Sequence, residues 1–162
     1  MGKILLNAIP KAPGIYALIL KVHQTLEIAI KSLGFVNLKP GIYCYIGSAR
    51  GYGGLYSRIS HHIRRPKPRI RWHIDYLTNN PSISIISVVY AVTDMDLESI
   101  FANNVSTSRC WSSTIPRFGT TDKHDYTHLY YCTCSHEECL RELQFILEEL
   151  GLEPQITNIC YT

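Results

Sequence analysis

Residues 41–65 read GIYCYIGSARGYGGLYSRISHHIRR, and phenols, guanidinium groups and imidazoles crowd this stretch. Such groups hold anions and move protons: arginine offers a rigid fork of donors, and histidine changes charge near neutral pH. Basic residues stand at 50, 58, 64, 65, 67, 69 and 71, with no Asp or Glu between Arg50 and Arg71. The formal net charge of the whole chain is only +3, so the positive charge is local, as nucleic-acid footprints are. Arg50, Arg64, Arg65, Lys67, Arg69 and Arg71 are therefore candidates to track a phosphate backbone. A solvated basic loop is the plainer account of the same run.

A strand leading into a helix must position these groups. In the strand, Ile42, Cys44 and Ile46 share one face, while Tyr43, Tyr45 and Gly47 share the other. In the helix, expected from about Gly54 to Arg65, Leu55, Ile59 and Ile63 form the apolar stripe. Arg58 and His62 border that stripe one turn apart and can face the sheet, whereas His61 is expected to face solvent. Further strands are predicted at 14–22, 25–30, 82–92 and 128–133, with a short helix over WHIDYLTN and another begun near Asp94 or Asp96. The last helix, about 135–151, is the best marked. Ser135 and Glu138 suit a capping box, Leu140, Leu143, Ile146, Leu147 and Leu150 make its stripe, and Gly151 ends it. The expected fold class is α/β: a small mixed or mainly antiparallel sheet flanked by helices, in one domain spanning 1–162.

With 46% hydrophobic and 18% charged residues, the composition is that of a folded globular chain, not a disordered one. The opening MGKILLNAIPKAPGIYALILKV has neither an apolar run of membrane length nor a small-residue cleavage site, so a cytoplasmic protein without a membrane partner is expected. Cysteines stand at 44, 110, 132, 134, 139 and 160. CTCSHEEC, with His136 inside it, superficially suggests zinc, but no C-x₂-C pair is present and Cys44 falls in a strand as a small buried hydrophobe. Disulfides within the set stay open, since spacing cannot give their connectivity.

The ordered set of GIY at 14–16, YIG at 45–47, Arg58 and His62 resembles the GIY-YIG nuclease superfamily. PGIYALIL, GIYCYIGSARGYGGLYSRISHHIRR, RWHIDYL and FGTTDKHDYTHLYY are similar to one branch of it, over about residues 10–133. That branch is catalogued as a domain of unknown function and is sometimes fused to endonuclease III. The resemblance implies catalytic roles for Tyr16, Tyr45, Arg58 and His62, and a divalent metal, Mg²⁺ or Mn²⁺, on Glu98. It implies a nucleic-acid partner, DNA, and through the fusion a repair glycosylase. The long interval from Tyr16 to Tyr45 and the GYGG insertion at 51–54 depart from the superfamily at large.

Phosphodiester hydrolysis suits those residue types. It needs a deprotonated water, neutralised phosphoryl oxygens and a stabilised leaving alkoxide. Only about one free tyrosine in a thousand is ionised at pH 7, so Arg58 is expected to favour a phenolate and to clamp a phosphate oxygen. His62 would relay a proton or orient the water, and one carboxylate with waters and phosphate completes a Mg²⁺ shell. A metal-dependent endonuclease acting in DNA repair is the expectation. A non-catalytic nucleic-acid-binding module and a repair-partner-binding domain are the alternatives. His73 and Asp75 are read as supporting or packing groups, and His128 carries no assignment.

Overall fold

The computed structural model describes residues 8–120 and 124–159. Cys160, the first residues of the chain and part of FGTTDKHDY lie outside the described residues. The elements run β1 (Gly14–Val22), β2 (Leu26–Ile30), β3 (Gly34–Leu38), β4 (Gly41–Ala49), α1 (Gly54–Ile63), α2 (His73–Thr78), β5 (Ile83–Val92), α3 (Glu98–Ser106), β6 (Trp111–Ser113), β7 (Leu129–Cys132), α4 (His136–Glu149) and β8 (Gln155–Asn158). Six strands form one sheet in the order β6-β7-β4-β1-β5-β8, each neighbour antiparallel to the next, and β2 with β3 makes a separate hairpin.

β1 lies in the middle, and all of its residues but Lys21 are buried. GIYALILKV therefore shows no polar alternation, because helices cover both faces of the sheet. On the front, Leu18, Leu20 and Tyr16 pack with Leu55, Ile59 and Ile63 of α1 and with Ile74 and Leu77 of α2. On the back, Ile15, Ala17, Ile19, Cys44 and Ile46 pack with Phe101 and Val105 of α3 and Leu143 and Leu147 of α4. The mixed α/β class, an antiparallel sheet flanked by helices, agrees with the sequence expectation.

Element ends follow local chemistry. α1 stops at Ile63, short of Arg65, because Arg64 is already extended before the Arg65-Pro66 step. The Lys67 ammonium then donates to the carbonyls of His61, His62 and Arg64 at the end of that helix. α3 begins at Glu98, later than Asp94 or Asp96, since the Thr93 hydroxyl takes the Met95 N–H in a local turn and Asp96 pairs with Arg50. The α4 cap is as expected, with the Ser135 hydroxyl accepting from the Glu138 N–H and donating to its carboxylate. Two disulfides, Cys110–Cys134 and Cys132–Cys139, fasten α4 to the β6–β7 edge, and Cys44 is a buried free thiol.

Candidate functional site

The site starts from the pairing of β1 with β4. Tyr16 lies opposite Gly47, and Leu18 opposite Tyr45, so both tyrosines belong to the front face. A Cβ at position 47 would stand 2.4 Å from the Tyr16 hydroxyl and 2.5 Å from Cζ. The phenol is laid across Gly47, and only a residue without a side chain admits it there.

α1 crosses this face with Arg58 and His62 turned inward. The Tyr16 hydroxyl lies 2.7 Å from His62 Nε2, and both side chains are buried. The Tyr45 ring stands edge-on to the His62 ring at 6.2 Å and to Phe118 at 6.0 Å. Arg58 donates to the Ser48 carbonyl at 3.0 Å, and its guanidinium carbon sits 4.5 Å from the Trp72 ring centre, so the cation is held against an aromatic surface. From there its charge opposes the effect of burial on Tyr16.

Glu98 comes from the other layer. It opens α3, whose core packs on the back of the sheet, yet its charge acts on both Tyr16 and Tyr45. Behind it stands His128, fully buried, with Nδ1 4.0 Å from a Glu98 carboxylate oxygen and Nε2 2.8 Å from Asp125. Asp125 also accepts from the Ser99 hydroxyl at 2.6 Å.

Burial dominates the electrostatics. It pushes the Tyr16 phenol well above the ordinary tyrosine range; Arg58 opposes this and Glu98 adds to it. Burial likewise raises Tyr45, with Tyr16 and Glu98 reinforcing it. His62 is driven well below its usual value, first by burial and then by Lys67, His61 and Arg58. The expected phenolate is therefore not the resting state: desolvation outweighs the guanidinium. A neutral phenol faces a neutral imidazole across the 2.7 Å contact, and the ring's Nδ1 has no hydrogen-bond partner among the described residues.

Glu98 is a hard oxygen donor with side-chain exposure of 13%, which suits Mg²⁺ held by one carboxylate with waters and phosphate completing the shell. A separate group of Cys110, Cys134 and Glu138 has its ligand atoms within 4.8 Å of one another, but these sulfurs form a disulfide and would be wrong donors for Mg²⁺.

The basic run divides. Arg64, Arg69 and Arg71 are exposed, and Arg50 is exposed but paired with Asp96 at 3.3 Å. Arg65 and Lys67 leave the phosphate-tracking set. Arg65 donates to the carbonyls of Thr78 and Ile83, tying α1 to β5, and buried Lys67 closes the end of α1. His61 does not face solvent freely either: it meets Asp75 at 3.1 Å. Asp75 is wholly buried and accepts from the N–H groups of Arg71 and Trp72. The sequence held one signal for this, an acid placed three residues after the cap of a short helix. Nothing in the spacing of His128 and Asp125 pointed to Glu98, because β7 and α3 meet only in the folded chain.

Between α1, the β4–α1 turn and Trp72 lies a groove of about 790 Å³ that opens next to Arg58. Its lining includes Lys11, Arg58, Arg64 and Arg71 and no carboxylate. Among the described residues no helix is long and apolar enough to cross a membrane. Residues 15–151 match the model of a family described as Domain of unknown function DUF123. No curated protein and no solved structure matches the chain.

Proposed function

For a chain that belongs to the DUF123 family, a domain of unknown function, we propose a metal-dependent endonuclease of the GIY-YIG type that hydrolyses DNA phosphodiesters. The observation that carries this is the buried Tyr16–His62 hydrogen bond of 2.7 Å, with Arg58 and Glu98 acting on the same phenol. A buried packing tyrosine needs one hydrogen-bond partner for its hydroxyl; the charges of Arg58 and Glu98 on the same phenol go beyond that need.

Arg58, fixed by Trp72 and the Ser48 carbonyl, binds a phosphoryl oxygen of the incoming diester. Arrival of that anion favours the imidazolium form of His62, which burial otherwise disfavours. Tyr16 takes a proton from the attacking water as its own passes to His62 Nε2. The water oxygen bonds to phosphorus, the ester oxygen leaves, and that alkoxide takes a proton from solvent. Tyr45, also protonated, donates to the phosphoryl group and keeps the nucleophile's side of the pocket in place. Glu98 would hold Mg²⁺ or Mn²⁺, which would supply charge neutralisation at the leaving oxygen.

One observation favours a second reading. A phenol pushed up and an imidazole pushed down form a poor base pair at rest, as a binding module without catalysis would have. Cleavage of nicked, branched, damaged and plain duplexes with Mg²⁺ or Mn²⁺ separates the two. The nuclease expectation is strand scission that falls at least about a hundredfold in Glu98→Gln, because loss of a Lewis acid removes several kcal/mol of transition-state stabilisation. Binding of every duplex with scission of none, at any metal concentration, replaces the enzyme with the module.

A further inference from the structure

The groove beside Arg58 carries more than positive charge. Tyr52, Tyr56 and Trp72 line it together with Lys11, Arg64 and Arg71. Trp72 and Tyr56 have fold-internal partners: Arg58 covers the first, and the Lys11 ammonium stands 5.5 Å from the ring of the second. Tyr52 is different. It is fully exposed at the turn between β4 and α1, with no hydrogen-bond or ring partner among the described residues.

That turn is nonetheless fixed. The Gly54 N–H closes it onto the Gly51 carbonyl at 3.1 Å, and the Leu55 N–H binds the Ala12 carbonyl at 2.9 Å. Gly54 has φ +55°, and a Cβ there would stand 2.2 Å from the Ala12 oxygen, so the backbone is clamped where only glycine fits. A large aromatic side chain is thus presented to water from an anchored turn, at the wall of a cationic groove. The fold itself has no use for it there.

We propose that this groove binds an unpaired strand of DNA next to the scissile phosphate, with one base stacked on Tyr52 and its phosphates on Lys11, Arg64 and Arg71. Stacking platforms set among cations are how proteins hold single strands, because every base offers a flat face and every linkage a charge. Paired bases keep their faces inside the duplex and cannot use Tyr52. The inference rests on the nuclease reading for the polymer and for the placement of the cut, while the groove's charge and its free aromatic carry the preference for an unpaired segment. Substrates with a single-stranded extension or branch follow as the preferred class.

Fluorescence anisotropy in EDTA, which prevents cleavage, tests this with labelled blunt duplex, the same duplex bearing a single-stranded extension, and the extension made of RNA. The extended DNA binds about tenfold more tightly than the blunt duplex. Tyr52→Ala abolishes that difference and leaves blunt-duplex affinity within about twofold, whereas Tyr52→Phe retains it. Arg64→Ala with Arg71→Ala weakens both ligands and lowers the salt slope by up to about 2. Equal affinity for blunt and extended DNA in the wild type overturns the proposal, as does an unchanged preference in Tyr52→Ala. Tighter binding of the RNA extension overturns the assignment to DNA. Preference for the extension without scission under Mg²⁺ sinks the nuclease reading and leaves the groove standing; scission with no such preference does the reverse.

Discussion

Tyr16→Phe removes one oxygen and little else, which makes it the sharpest probe of the site. In the fold that oxygen is buried and lies 2.7 Å from His62 Nε2, while Nδ1 of the same ring already lacks a partner. The variant therefore leaves an imidazole with both nitrogens unpaired in a dry setting. Losing one member of such a buried bond costs about 1–3 kcal/mol. For a domain of this size each kcal/mol is about 2–4 °C, so the melting temperature should fall by roughly 2–12 °C while the protein stays folded. Catalysis should suffer more, since a positioned proton acceptor is worth about 10²–10⁴ in rate, or about 3–5 kcal/mol. The assay is single-turnover cleavage of an end-labelled substrate with Mg²⁺, alongside thermal unfolding. A double-mutant cycle with His62→Gln adds the decisive comparison: if the phenol works through the imidazole, the double variant is no slower than the slower single variant. Cleavage by Tyr16→Phe within threefold of wild type, or losses that multiply in the cycle, would refute the coupled pair.

Gly47→Ala should be nearly as damaging as Tyr16→Phe, because the new methyl falls 2.4 Å from the Tyr16 hydroxyl and the ring must leave His62; overpacking of this kind costs about 1–3 kcal/mol, visible as a lower melting point together with lost cleavage. Folding stability, measured by urea titration, should decline as pH falls below about 6.5, where the unfolded chain protonates the histidine that the folded chain keeps neutral at position 62. It should decline again above about pH 10, where unfolded Tyr16 and Tyr45 ionise and the folded phenols, with values raised by burial, do not; Lys67, pushed down to about 8, contributes an opposing rise between about pH 8 and 10.4. A flat curve from pH 7 to 5 would contradict a neutral His62. Reductant should lower the melting temperature by about 5–15 °C, since the Cys110–Cys134 link spans 24 positions and closing a loop of that size stabilises by about 3.5 kcal/mol; an unchanged melt in reductant would argue against the two disulfides.

The parts of the fold that local pattern governs were legible in advance. β1, β4, β5 and α4 stand where strand-forming runs, apolar stripes and the Ser135–Glu138 cap put them. The short strands β3, β6 and β8 were not read, because three to five residues carry too little periodicity and exist through their partners. The two GIY triplets show the same limit. The first brings Tyr16 to His62; the second starts β4 at the far end of the pairing, where Gly41 faces Val22 and the Tyr43 hydroxyl donates to the Lys39 carbonyl. Identical letters serve different ends because the partner strand decides what each tyrosine meets. Within the site, the helical period was enough to turn Arg58 and His62 inward, but not to foresee that a buried carboxylate on α2 would draw in His61. Charge alone also misread Arg65 and Lys67: a sequence lists cations, and only the folded chain shows which carbonyls they hold.

The sheet itself divides the machinery. Four of the five groups stand with the front layer, while Glu98 rises from a helix packed on the back. Their separation is therefore set by strand and helix spacing. Drift in the rear core, at Phe101, Val105 or Leu143, can move the carboxylate while the phenol–imidazole pair and the basic groove stay as they are. Under the proposed function, inheritance could thus retire cleavage without touching binding, and a lineage that lost Glu98 would keep a folded chain with the same basic groove.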